Sequence, residues 1–140
     1  MADPIATLMS SPAYGRAAEV MQAEHERMVQ DIITLTEIPS PPFGEHVRAA
    51  AYQEMLAAHG LEDVEQDGIG NVMGLRRGAG NGPLIVVAAH LDTVFPAGTD
   101  VKVRREGTRL FAPGVGDDTR SLAVLLAFIR AMDAAGIRTH

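Results

Sequence analysis

The stretch Leu84-Ile-Val-Val-Ala-Ala-His-Leu-Asp92 constrains this chain more than any other. Its first six residues carry no charge or turn residue, the pattern of a strand covered on both faces. It predicts a central strand in an α/β sheet. The run ends in a histidine and a carboxylate two positions apart. On a strand these side chains share a face, roughly 6 to 7 Å apart along the backbone. His90 could then bind a divalent metal through one nitrogen while Asp92 accepts the other N–H and fixes the tautomer. The plainer alternative is that His90 caps the strand and Asp92 opens a turn toward Phe95-Pro96.

A second stretch, Phe111-Ala-Pro-Gly-Val-Gly-Asp-Asp-Thr-Arg-Ser121, sets two carboxylates in a glycine-broken loop just before an apolar helical run. An aspartate at a helix start is commonly an N-cap, stabilising by about 1 kcal/mol. Only one of the two can cap. The other is left as a carboxylate able to bridge two metals roughly 3.5 to 4 Å apart. The expectation is that the two loops meet at a metal site.

The remainder of the chain frames these loops. Residues 1 to about 15, with Pro4, Pro12 and Gly15, read as a flexible leader, and 16–140 as one domain. A helix is predicted from Arg16, with Met21, Met28, Ile32 and Leu35 on one stripe and His25 beside them as an ordinary boundary residue; Ile38-Pro39-Ser40-Pro41-Pro42 stops it. A second runs from Glu45 to His59, with Val47, Ala51 and Met55 on one face and Gly60 as terminator. His59 there suits the negative end of the helix dipole. Short strands are expected near Val64–Gln66 and Asn71–Arg76, and a hairpin at Val101–Arg105 and Thr108–Phe111. The third helix, about Thr119 to Ala135, is apolar on nearly every side through Val124, Leu125, Leu126, Phe128 and Ile129, which predicts burial. The glycine cluster at 78–82 fits neither the dinucleotide nor the P-loop pattern and reads as a turn. The element order predicts an α/β fold, a mixed β-sheet with flanking helices.

Composition excludes several function classes. With no cysteine among 140 residues, any metal must be held by imidazole and carboxylate. A net charge of -6 gives no reason to expect nucleic acid or an anionic membrane as partner. No Gly-x-Ser-x-Gly elbow is present for a serine hydrolase. The apolar runs are too short to span a bilayer, so the expected setting is cytoplasmic.

Ala89-His-Leu-Asp-Thr-Val94 followed by Gly114-Val-Gly-Asp-Asp118 closely resembles the N-terminal part of metallopeptidase family 20, which includes carboxypeptidase G, peptidase T, aminoacylase and acetylornithine deacylase. Ile38-Pro39-Ser40 and Gly70-Asn71-Val72 extend the likeness upstream. The resemblance implies a zinc-exopeptidase-like catalytic domain. In it His90 and Asp117 bind metal, Asp92 serves catalysis by orienting His90, and Asp118 is a supporting residue or helix cap. It implies two Zn2+ ions, with Co2+ or Mn2+ as options, and a peptide or N-acyl amino acid substrate. Thr119-Arg120 stand where the family often has Lys-Gly, so substrate preference does not carry across.

The family continues with a Glu-Glu pair whose first member is the general base, and no Glu-Glu occurs in this chain. The chain is therefore expected to represent only the N-terminal portion of the catalytic domain. It is expected to be inactive alone, and to recruit a second copy through an open sheet edge. The rival expectation is a non-catalytic truncated α/β module with a structural or interaction role.

Overall fold

A computed structural model describes residues 3–139. Five helices and four short strands follow one another: α1 (Pro4–Met9), α2 (Pro12–Ala23), α3 (His25–Thr36), α4 (His46–Ala58), β1 (Glu62–Gln66), β2 (Val72–Leu75), β3 (Arg104–Glu106), β4 (Arg109–Phe111) and α5 (Thr119–Ala134). The mixture of helices and small strands is α/β-like. Its strands, however, form two separate antiparallel pairs, β1 with β2 and β3 with β4, in place of the single mixed sheet expected from the sequence.

The reason lies in Leu84–Ala89. This run forms no strand, and none of its residues makes a hydrogen bond among the described residues. Leu84 and Val86 are 79% and 78% exposed. A strand exists only against a neighbour, and the four strands of this chain pair with one another, leaving Leu84–Val87 uncovered while Ala89 packs half-buried against the helical core. The run's apolar composition records a demand for cover that these residues do not themselves meet.

The segment read as a loose leader is helical from Pro4. Asp3 accepts from the Ile5 amide at 3.0 Å and Ser11 from the Tyr14 amide at 3.2 Å, each just ahead of a proline in the first turn. Cap followed by proline is a helix start, which outweighs the reading of these prolines as loop signals. Helix α1 buries none of its residues.

The core is built where α3, α4 and α5 meet, from Leu35, Tyr52, Leu56, Leu122 and Leu126. Two sequence expectations shift here. The buried face of α4 is Arg48, Ala49, Tyr52 and Leu56; of the expected face, Met55 packs half-buried against the core while Val47 is exposed. Helix α5 is covered on one side only. Val124 and Phe128 are exposed, and the buried stripe is carried by Leu122, Ala123, Leu126 and Ala127.

Polar links lock the helices in register. Thr36 Oγ1 and Thr119 Oγ1 lie 2.7 Å apart, both buried, pinning the start of α5 to the end of α3. The buried Arg130 guanidinium on α5 reaches Glu24 at 2.6 Å, Asp31 at 3.0 Å and His59 Nε2 at 3.0 Å. His59, with Nδ1 2.6 Å from the Met55 carbonyl, is thus the end-cap of α4 and a partner of Arg130. His25 is exposed at the start of α3.

Candidate metal centre

The loop that carries His90 and Asp92 is placed from below. Ser40 Oγ donates to the Leu91 carbonyl at 2.8 Å, and the Thr93 amide donates to the Ser40 carbonyl at 2.8 Å. The Ile38-Pro39-Ser40 turn that ends α3 therefore grips the residues on either side of Asp92. Arg48 completes the grip. It is 1% exposed, and it donates through Nη1 to the Leu91 carbonyl at 2.7 Å and through Nη2 and Nε to the Ile38 carbonyl at 2.6 and 3.2 Å. Burial pushes its pKa down to about 10, against the opposing pull of the Asp92 charge.

The Asp117 loop is brought in by a glycine and a threonine. Gly114 has φ +77°, a conformation that L side chains rarely adopt, and a Cβ there would stand 2.8 Å from Thr93 Cγ2. Only glycine lets the loop rest on Thr93 at this distance. Thr119 Oγ1 then donates to the Gly114 carbonyl at 3.0 Å, tying the loop to the first turn of α5.

The two loops meet at His90. Its Nε2 is 2.9 Å from Asp117 Oδ1, and its Nδ1 is 3.1 Å from Asp92 Oδ1 and 3.0 Å from the Asp92 carbonyl. Asp118 sits at the N-cap position of α5 but makes no side-chain capping bond; its carboxylate accepts from the His90 amide at 3.2 Å. The four residues singled out in the sequence are thus gathered around one imidazole. The Asp117–Asp118 peptide is cis.

With an acceptor facing each ring nitrogen, the imidazole is best satisfied as the imidazolium. Partial burial works against the charged form. The bond to Asp117, the Asp92 carbonyl and the charges of Asp118 and Asp92 outweigh it, so the His90 pKa is raised.

A metal would replace the Nε2 proton. Nitrogen and oxygen ligands about 2.0 to 2.2 Å from a tetrahedral zinc stand about 3.4 Å from each other. The observed 2.9 Å between His90 Nε2 and Asp117 Oδ1 is short of that by about half an ångström. Asp117 is well able to move, its side chain being 86% exposed. The pair has the donor chemistry for a divalent ion, and its spacing would have to widen to admit one. It is only a pair: among the described residues, no group of three or more His, Asp or Glu side chains is arranged to hold a metal.

Sequence reasoning missed Arg48; the signal that could have found it was its i, i+4, i+8 spacing with Tyr52 and Leu56. Among the described residues no helix is long and apolar enough to cross a membrane.

Comparison with known proteins adds ancestry to this geometry. No family model matches the chain. It is 35% identical over 106 residues to a protein of Pyrococcus abyssi (strain GE5 / Orsay) named as a LysW-lysine/LysW-ornithine hydrolase, covering 76% of this chain and 30% of that protein. It is 32% identical over 72 residues to carboxypeptidase G2 of Pseudomonas sp. (strain RS-16), covering 50% of this chain and 17% of that protein. Both relatives are metallopeptidases of family 20 type, and the chain spans less than a third of the length of either. The chain is accordingly a metallopeptidase family 20-like sequence.

Proposed function

We propose that this chain supplies the histidine and the bridging aspartate of a metal-dependent hydrolase acting on peptide or N-acyl-amino-acid amide bonds. The supporting observation is the His90–Asp117 contact at 2.9 Å, backed by Asp92 on the far ring nitrogen. A cytoplasmic setting belongs to the same proposal. So does the domain type, a zinc-exopeptidase-like catalytic domain of which this chain is a portion.

Each residue has a definable task in that reading. Asp92 keeps a proton on Nδ1, which leaves Nε2 as the nitrogen that can bind an ion once its own proton is lost. Asp117 offers one oxygen beside Nε2 and has a second for a neighbouring ion. Asp118 steadies the His90 backbone. Zinc in such a site lowers the pKa of bound water and polarises a substrate carbonyl, and cobalt or manganese suits the same nitrogen–oxygen donor set. The chain carries no Glu-Glu pair to supply the family's general base, so the proton acceptor belongs to another part of a complete site.

The second reading, a non-catalytic module, draws on the donor count, since a catalytic zinc normally has three protein ligands and one open position. A related proposal concerns self-association: a second copy of this chain would cover the unpaired apolar run at Leu84–Val87.

Titration of the 140-residue chain with zinc, read by calorimetry and by His90 ring resonances, tests the hydrolase reading. Zinc binding weaker than micromolar, abolished in Asp117→Ala and without hydrolysis of N-acyl amino acids, is expected. Zinc that never perturbs His90 at any concentration would remove the metal assignment. Micromolar or tighter binding that depends on Asp117 would overturn the claim that further donors are needed.

A further inference from the structure

We infer that Arg48 is a positioning residue for the His90–Asp92 pair, acting through the Leu91 carbonyl that lies between them. A guanidinium is among the least favourable groups to bury, and Arg48 is buried without an ion pair among the described residues. Its bonds run to two backbone carbonyls, Ile38 and Leu91. A group held at such disadvantage should do something that an apolar residue cannot.

The Leu91 carbonyl receives two donors, Arg48 Nη1 at 2.7 Å and Ser40 Oγ at 2.8 Å. A peptide group is planar, so holding its oxygen from two directions fixes the plane of the Leu91–Asp92 peptide. That plane sets the direction in which Asp92 leaves the backbone. Asp92 in turn presents both its carboxylate and its carbonyl to His90 Nδ1. The chain of contacts therefore runs from Arg48 to Leu91 to Asp92 to the imidazole, and Arg48 touches neither His90 nor Asp117.

Two features separate this from a simple staple between loop and helix. The first is the target: the clamp closes on the carbonyl between the two functional side chains, whereas the same guanidinium could tie α4 to the Ile38 turn through Ile38 alone. The second is charge. Asp92 lies close enough for its negative charge to stabilise the guanidinium, and that attraction is mutual. A neutral donor would hold the carbonyl and leave the Asp92 charge unanswered.

The inference takes its importance from the reading of His90 as a metal ligand, but its test is made without metal. Nitrogen-15 spectra of the metal-free 140-residue chain carrying Asp117→Ala, which removes the acceptor facing Nε2, at a pH where the His90 ring is neutral, report which ring nitrogen carries the proton. With Arg48 in place this chain should show one tautomer, Nδ1–H, with widely separated ring-nitrogen shifts. Arg48→Met should draw those shifts together toward a tautomer mixture, with Leu122 and Leu126 methyl signals unmoved. Arg48→Lys should recover part of the separation, because an ammonium keeps the charge but lacks the planar fork that serves two carbonyls. Ser40→Ala, which removes the other donor, should produce a smaller shift of the same sign. Unchanged His90 ring shifts in a folded Arg48→Met, even with a lowered melting temperature, would reduce Arg48 to a structural staple and overturn the inference. Should Arg48→Met not fold, Arg48→Lys decides alone: shifts drawn partway together support the inference, and unchanged shifts overturn it. Failure of zinc to reach His90 would sink the hydrolase reading and leave this result standing.

Discussion

The three-helix core and the run from Leu84 to Val87 are both aliphatic and meet opposite fates. Leu35, Leu122 and Leu126 are 0 to 1% exposed, sealed by helices that satisfy their own backbones. Leu84 through Val87 are 61 to 79% exposed, because an extended segment must borrow its backbone partners from a neighbouring strand. A helix completes its hydrogen bonds alone and then needs only a surface to lie on. A central strand needs two more strands before its side chains can be covered. The contrast explains why the helical part of this chain closes within 140 residues while the run that leads into the site does not.

That contrast can be broken by experiment. The largest effect should come from Leu126→Ala, which deletes a fully buried side chain and should cost about 2 to 5 kcal/mol in chemical denaturation. Val86→Lys should change the same quantity by no more than about 0.5 kcal/mol, because nothing covers Val86 to be lost. The same substitution should reduce light scattering at high concentration. Equal destabilisation by the two would mean that the extended run is packed and the comparison false. A strictly monomeric parent chain at high concentration would remove the proposed self-association.

The smallest effect belongs to His90. Its folded-state pKa is raised, so the stabilisation from its charged contacts is fully present below the unfolded value and fades as pH rises through the folded one. The melting-temperature gap between the parent chain and Asp117→Asn should therefore narrow as the pH rises past the ordinary histidine range. Because His90 is half exposed, solvent screening keeps the change small. A gap that widened over this range would mean that the imidazole is held neutral. Zinc affinity should move the opposite way, strengthening as pH rises, since the ion competes with the Nε2 proton.

Much of this was legible in the residues. Helix α4, the β1 and β2 pair, the β3–β4 hairpin and α5 fall close to their expected spans, because caps, glycine terminators and periodicity are local signals. The meeting of His90 with Asp92 and Asp117 was likewise foreshadowed by spacing and by the family likeness. The misses have a common origin in partners that sequence order does not display. Leu84–Ala89 reads as a central strand whether or not its neighbours are supplied. Arg48 is not singled out until the Ile38 and Leu91 carbonyls converge on it. Sequence order leaves Asp118 open between supporting residue and cap until the His90 amide claims its carboxylate. The leader is the exception, for its cap-and-proline signals are local and mark helix starts rather than loop.

Gly114 carries one last implication. The gap between imidazole and acid is gauged by a residue that has neither, since the loop bearing Asp117 rests on Thr93 only where no methyl intervenes. A single added carbon would act as a shim, prising the loops apart by its own thickness. The spacing of the His90 and Asp117 side chains is thus written into an absence of side chain three positions upstream of the acid.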